Sequence, residues 1–317
     1  MHALETTWIW FAFTGFVIIA LTIDALVIGK RHIGPQSSVR AALLWTCLWI
    51  CSALIFNVLL WYYFDASFGR EVANTKALAF FTGYLIEKAL AVDNLFAFFL
   101  VFHHFRIPPQ HQQRVFSYGI WGAVIMRLLL ILAGTWLVHE FHWVLYLMGI
   151  ALFLTGIKMC LVKEKKKDLA ETFVIKRLKQ WLRITPELHG EHFWVRKNHL
   201  LYVTPLFIAL IFIEISDLIF AFDSIPAIFA ITTDPFIVWT SNIFAILGLR
   251  ALYFVLSGMV DRFHLLKYGI ALILVFVGMK MMIEPWVQVP MGYSLLVIAT
   301  ILVSFAWVSV ISRTKVN

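Results

Sequence analysis

Charge is what this sequence has least of: only 14% of its 317 residues are Asp, Glu, Lys or Arg, while 62% are apolar. The apolar residues form many runs of about 20, long enough to cross a bilayer as helices, which excludes a water-soluble globule and predicts an all-α, polytopic transmembrane bundle. Cysteine is also scarce. Cys47, Cys51 and Cys160 all fall in apolar spans without metal-ligand spacing, and Cys47 and Cys51, which share a helix face, read as ordinary packing. A cleavable signal peptide is not expected, because the first apolar run continues to Gly29 without a small-residue cleavage pattern. No stretch between spans is long enough for a soluble domain: the longest, 163–199, has about 37 residues, too few to bury a core. The net charge of +8 does not indicate nucleic-acid binding, because most basic residues lie in the loops of one membrane side.

Nine spans are predicted, at 8–29, 41–64, 77–102, 115–138, 143–162, 201–231, 236–259, 265–284 and 291–312. Alternate loops 30–40, 103–114, 163–199, 260–264 and the C-terminus hold eighteen Lys and Arg residues, whereas the opposite set holds only Arg70 and Lys76. The positive-inside rule then puts the N-terminus outside and the C-terminus in the cytoplasm. The segment KEKKKDLAETFVIKRLKQWLRI gathers Phe173, Ile175, Leu178, Trp181 and Leu182 on one side of a basic helix, expected to lie against anionic lipid.

The scarce charges inside the spans are patterned. Residues 78–101 read LAFFTGYLIEKALAVDNLFAFFLV and residues 206–233 read LFIALIFIEISDLIFAFDSIPAIFAITT. Aligning Asp93 with Asp223 sets Glu87 against Asp217 and Asn94 against Ser224. The predicted topology runs these two segments in opposite directions. Arg127 and Arg250 each lie about halfway along the fourth and seventh spans, and GIALFLTGIKM at 149–159 matches GIALILVFVGMKM at 269–281. The pattern predicts an inverted 3+3 repeat: residues 1–76 hold the first two helices, 77–162 and 201–284 the repeats, 163–200 the basic loop and 285–317 the last helix. Transporters of this architecture bind substrate near the midplane between discontinuous helices.

Each intramembrane charge costs about 2.5–3.5 kcal/mol on insertion scales, so the acids need partners, water or a ligand. Six residues on a helix turn through roughly 240°, so Glu87 and Asp93, or Asp217 and Asp223, share a site only if the helix is interrupted or a second segment closes it. Pro226 is expected to supply the interruption, kinking or unwinding the helix beside Asp223 and Ser224 and freeing carbonyl oxygens. Glu87, Asp93, Asn94, Asp217, Asp223 and Ser224 are then the expected metal ligands, with Asp24 completing the site, gating it or capping a helix. Arg127 and Arg250 are expected either to neutralise the acids when the ion is absent or to be permanent counter-ions. Glu214 and Lys88 stand beside this set, and Glu214 has no acidic counterpart because Tyr84 occupies the matching position. Lys158 and Lys280, near helix ends, are expected to snorkel. Carboxylate, amide, hydroxyl and carbonyl oxygens without His or Cys suit hard divalent ions such as Mg²⁺, Ca²⁺ and Mn²⁺. Mere helix-to-helix salt bridges are the weaker reading, since buried pairs are poor stabilisers.

The segments GYLIEKALAVDNLFAF at 83–98 and EISDLIFAFDSIPAIFAIT at 214–232, with DALVIGKRHIGPQSSVR at 24–40, resemble the signature regions of the TerC integral membrane family, named for tellurium resistance, and most of all its Alx group. The resemblance spans about 10–310. It implies a bacterial inner-membrane protein linked to metal-ion homeostasis, with Mn²⁺ export the leading activity of this branch; other members are associated with tellurite resistance or thylakoid membrane assembly. It carries the family's acidic positions onto Asp24, Glu87, Asp93, Asp217 and Asp223. An acid-rich pocket disfavours direct binding of the tellurite oxyanion.

The combined expectation is a divalent-cation exporter, Mn²⁺ foremost, working by alternating access. Exchange with protons is the expected coupling, because closely spaced carboxylates repel one another once the metal leaves. The metal is cargo, with no tightly bound cofactor and no enzymatic activity expected; the partners are the ion and the bilayer, and homo-oligomerisation is left open. The rival reading is a membrane scaffold or assembly factor linked to tellurite or metal stress, for which the basic loop would matter more than the carboxylates. An intramembrane aspartyl protease is disfavoured because neither a YD nor a GxGD pattern surrounds Asp93 or Asp223.

Overall fold

Apolar runs bounded by prolines and glycines become ten helices in the computed structural model, which describes residues 2–30, 39–161, 182–185, 187–197, 200–257, 266–283, 286–287 and 289–314. In chain order they are α1 (His2–Lys30), α2 (Val39–Phe68), α3 (Arg70–His104), α4 (Pro109–Glu140), α5 (Trp143–Leu161), α6 (Pro205–Phe229), α7 (Pro235–Ile246), α8 (Leu249–Ser257), α9 (Leu266–Ile283) and α10 (Met291–Thr314). By length and composition, six stretches of the described residues are able to cross a membrane, one of them comprising α7 and most of α8. The expected amphipathic helix of the basic loop, with Phe173, Ile175, Leu178 and Trp181, lies outside the described residues.

Three helices begin with proline in the first turn: Pro109, Pro205 and Pro235. Their fixed φ suits the helix start, and the missing N–H is one that a first turn leaves unbonded anyway. Asp234 caps α7 by accepting from the backbone N–H groups of Phe236 and Ile237, and it also pairs with Lys76 of α3 at 2.5 Å. One residue, Gly69 at φ +90°, separates α2 from α3, a left-handed conformation that glycine adopts without cost.

Two expectations are corrected. First, the sixth span begins at Pro205 rather than 201. Leu200–Val203 instead form β2, antiparallel to β1 (Trp194–Lys197), because this short apolar stretch ends at the proline that starts α6. Second, α6 is not interrupted at Pro226, which lies within the helix, in its final turn. The proline forfeits one intrahelical bond so near the end that the helix simply continues three residues to Phe229. The interruption falls in the next span, where Leu247 and Gly248, the latter at φ +83°, separate α7 from α8. Gly248 is also packed against Trp49, whose side chain would lie 2.8 Å from any added Cβ.

The core is built around α7, buried from Phe236 to Ile246 and packed on α3 and α4. The two acid-bearing helices α3 and α6 pack antiparallel: Gly83 of α3 lies against Ile228 of α6, while Phe105, just past α3, meets Phe212 of α6 at 5.9 Å. The two GIAL-containing helices, α5 and α9, also pack directly on each other in opposite directions, Gly149 against Gly278 and Gly156 against Ala271. A Cβ on Gly278 would stand 2.6 Å from the main-chain oxygen of Gly149 and from the nitrogen of Phe153. Backbone cannot step aside, so Gly278→Ala is expected to destabilise the protein by about 1–3 kcal/mol and lower its melting temperature in detergent. Gly292→Ala, facing open space, should melt like the native chain.

Candidate metal-transport site

Because α3 and α6 are both continuous, helical geometry alone decides which acids can meet. Seven residues make two turns, so Glu87 shares a face with Asn94, and Asp217 with Ser224. These four are 1%, 2%, 4% and 2% exposed. On α6 the face is part of a buried stripe through Leu206, Ala209, Ile213, Asp217, Ala221, Ser224 and Ile228. Asp223 lies one residue off that stripe and is half-buried; its carboxylate accepts from Thr155 Oγ1 of α5 at 3.5 Å. It therefore turns to α5 and not to Asp217, which is the separation an unbroken helix imposes. Asp93 lies on α3, and its side chain is outside the described residues.

Arg127 of α4, 1% exposed, joins the two halves. Its Nε and Nη2 donate to the two oxygens of Asp217 at 3.0 and 2.7 Å, a bidentate fork, and its Nη1 donates to Glu87 Oε1 and, at 3.1 Å, to Asn242 Oδ1. Four helices thus meet at one guanidinium, whose planar set of donors suits two carboxylates at once. With all three groups ionised, the cluster carries one negative charge in excess. On three of the same helices several polar atoms are buried without a hydrogen-bond partner among the described residues: Glu87 Oε2, Asn94 Oδ1, Ser224 Oγ and Asn242 Nδ2. Buried oxygens left bare cost about 1–3 kcal/mol each, which a bound cation or water would relieve.

Asn242 was missed by the sequence reading. The signal was the polar triplet Thr240-Ser241-Asn242 inside an apolar span. Thr240 and Ser241 return their hydroxyls to the backbone oxygens of Phe236 and Val238, leaving Asn242 as the member whose side chain reaches Arg127.

Other expected members lie elsewhere. Asp24 of α1 does not join Glu87 and Asp217; it is bound to Arg250 of α8, with Asp24 Oδ2 at 3.6 Å and its main-chain oxygen at 3.5 Å, and Arg250 Nη2 also donates to Ser117 Oγ at 2.9 Å. The two arginines, Arg127 and Arg250, therefore anchor separate clusters. Glu214 is half-buried one turn before Asp217, and its carboxylate fills the notch left by Gly119 and Gly122 of α4. Lys88 donates to the main-chain oxygens of Ala245 and Leu247 and, among the described residues, to no carboxylate. Lys158 is exposed as a snorkelling residue would be, but Lys280 is 7% exposed and lines a cavity with Ala230, Ile231 and Pro290. No three Asp, Glu, His or Cys side chains among the described residues are grouped to hold a metal; of the four expected carboxylates, Glu87 and Asp217 meet on one arginine, Asp223 turns to α5, and the side chain of Asp93 lies outside the described residues.

Comparison with known proteins places this architecture. The model of the family described as "Integral membrane protein TerC family" matches residues 72–317. The chain is 50% identical over 317 residues to "Putative membrane-bound redox modulator Alx" of Salmonella typhi, covering 100% of this chain and 97% of the relative. It is 48% identical to the protein of the same name from Escherichia coli (strain K12), over 98% of this chain and 97% of that one. To an "Uncharacterized membrane protein" of Rickettsia bellii it is 40% identical, over 97% and 99% of the two chains. No solved structure matches. The chain belongs to the TerC family of multi-pass integral membrane proteins.

Proposed function

We propose that this protein exports divalent cations, Mn²⁺ foremost, across the bacterial inner membrane, with its N-terminus outside and its C-terminus in the cytoplasm. The observation that carries this reading is the meeting of Glu87 and Asp217, from antiparallel helices, at one buried guanidinium, with the unpartnered oxygens Glu87 Oε2, Asn94 Oδ1 and Ser224 Oγ on the same faces of those helices. Two carboxylates with amide and hydroxyl oxygens form a hard donor set, suited to Mn²⁺, Mg²⁺ or Ca²⁺ rather than to a thiophilic metal. The ion is cargo, the protein needs no tightly bound cofactor, and no step is enzymatic.

Arg127 is the resident counter-ion of the two carboxylates. An arriving dication competes with the guanidinium for Glu87 and Asp217, and its departure restores the pairs, so the charge buried in the membrane stays compensated in both states. The two inverted three-helix units rock about this point to give alternating access, with proton exchange as the coupling. A cavity of about 320 Å³ lined by Arg114, Tyr118, His192, Phe193, Trp194, Phe207 and Leu210 opens between the starts of α4 and α6. Glu214 lies one turn deeper, between Leu210 and Asp217, and marks the way in from the cytoplasm.

Expression in Mn²⁺-loaded bacteria lacking their own exporters should lower the cellular Mn²⁺ content, measured by elemental analysis, and restore growth. An unchanged metal content with the protein present in the membrane would contradict the proposal.

A further inference from the structure

The break between α7 and α8 leaves the last carbonyls of α7 without helical donors, because Gly248 turns the chain at φ +83° before α8 restarts at Leu249. In a protein core those oxygens must find another partner. One of them, together with the carbonyl of Leu247 in the break, does so through one atom of α3: Lys88 Nζ donates to Ala245 O at 3.1 Å and to Leu247 O at 3.3 Å. Among the described residues this ammonium forms no ion pair. Its other neighbour is the ring face of Tyr84, with the centroid 6.0 Å away. Charge here is balanced by main-chain oxygens and by the negative end of the α7 dipole.

We propose that the carbonyl cradle at the α7–α8 break is a binding site for a small monovalent cation, and that the Lys88 ammonium is its permanent, tethered occupant. Unwound main-chain oxygens and half-helix C-terminal ends are what discontinuous membrane helices use to hold monovalent ions. Here the positive charge arrives on a side chain, so the break is held together without a dissolved ion.

The two halves of the chain make the correspondence specific. Aligning Asp93 with Asp223 sets Leu218 opposite Lys88, and aligning Arg127 with Arg250 sets Ile125 opposite Gly248. Lysine stands on α3, which packs on the broken span, and leucine on α6, which packs on the continuous helix α4. Cation and cradle occur together and are missing together. The inference is independent of what the Arg127 cluster carries.

The test uses the purified full chain in lipid nanodiscs, comparing native protein with Lys88→Ala and Lys88→Gln. Melting temperature is read in chloride salts of N-methylglucamine, Li⁺, Na⁺ and K⁺ at one ionic strength. The native protein should melt identically in all four. Lys88→Ala should melt lower in N-methylglucamine and recover by about 5 °C in the alkali ion that fits the cradle, with Lys88→Gln recovering less because its amide still reaches one carbonyl. A lysine that merely caps a helix end predicts no dependence on ion identity, and an equal response to all four salts overturns the proposal. Failure of both variants to accumulate in K⁺-rich cells overturns it as well, since a free ion would then be unable to replace the ammonium.

Discussion

Vesicles carrying Asp217→Asn or Glu87→Gln are expected to move Mn²⁺ at least about a hundredfold more slowly than native vesicles, equivalent to ~2.7 kcal/mol of lost cation stabilisation. Each substitution preserves shape and leaves the amide oxygen available to Arg127, so the fold should survive. What changes is charge. The ionised cluster of Glu87, Asp217 and Arg127 has one surplus negative charge, and either neutralisation removes it, leaving a dication nothing to gain by displacing the guanidinium. Protein amounts in the membrane should match the native chain within a factor of two or so. Asp223→Asn is the informative companion. Its carboxylate is half-buried and turned to Thr155 of α5, so export should fall by about tenfold or less. If Asp223→Asn were the more damaging change, the ion would have to bind against α5 and not at Arg127.

The second large effect concerns folding. Arg127→Met should destabilise the protein by about 3–5 kcal/mol, because two carboxylates, 1% and 4% exposed, lose their counter-ion while remaining buried. Most of the variant should be lost from the membrane fraction. Combining Arg127→Met with Glu87→Gln and Asp217→Asn removes the stranded charges along with the arginine, so accumulation should return to near the native level. Export should not return, because the triple variant has no charge to hold a cation. Accumulation that tracked export across this series would mean that the cluster serves only the fold.

The helical class and the buried acids were legible in the sequence because both rest on residue type along the chain. Apolar length announces a span, and a carboxylate within one is too costly to be accidental. The position of the helix break was less legible. Proline is the conspicuous breaker, yet Pro226 sits so close to the end of α6 that its lost hydrogen bond changes little, whereas Gly248, which does break its span, is a residue that membrane helices tolerate freely. The position of the break also decides which side chains share a face. With α6 continuous, Ser224 shares the face of Asp217 and Asp223 does not, a consequence of helical pitch that follows once continuity is known. The partners of Asp24 and Lys88 are not legible along the chain, since Arg250 is 226 positions from Asp24, and the main-chain oxygens that bind Lys88 are freed by a break that no residue type announces.

The most direct test of divalent-cation export is flux into proteoliposomes holding a metal-sensitive dye, with Mn²⁺, Mg²⁺, Ca²⁺ or Zn²⁺ outside and a pH gradient of either direction. The native chain is predicted to admit Mn²⁺ in preference to Zn²⁺, faster when protons leave in exchange, and the Asp217→Asn chain to admit neither. Correctly folded native protein that passes no divalent ion under any gradient would contradict the transporter reading.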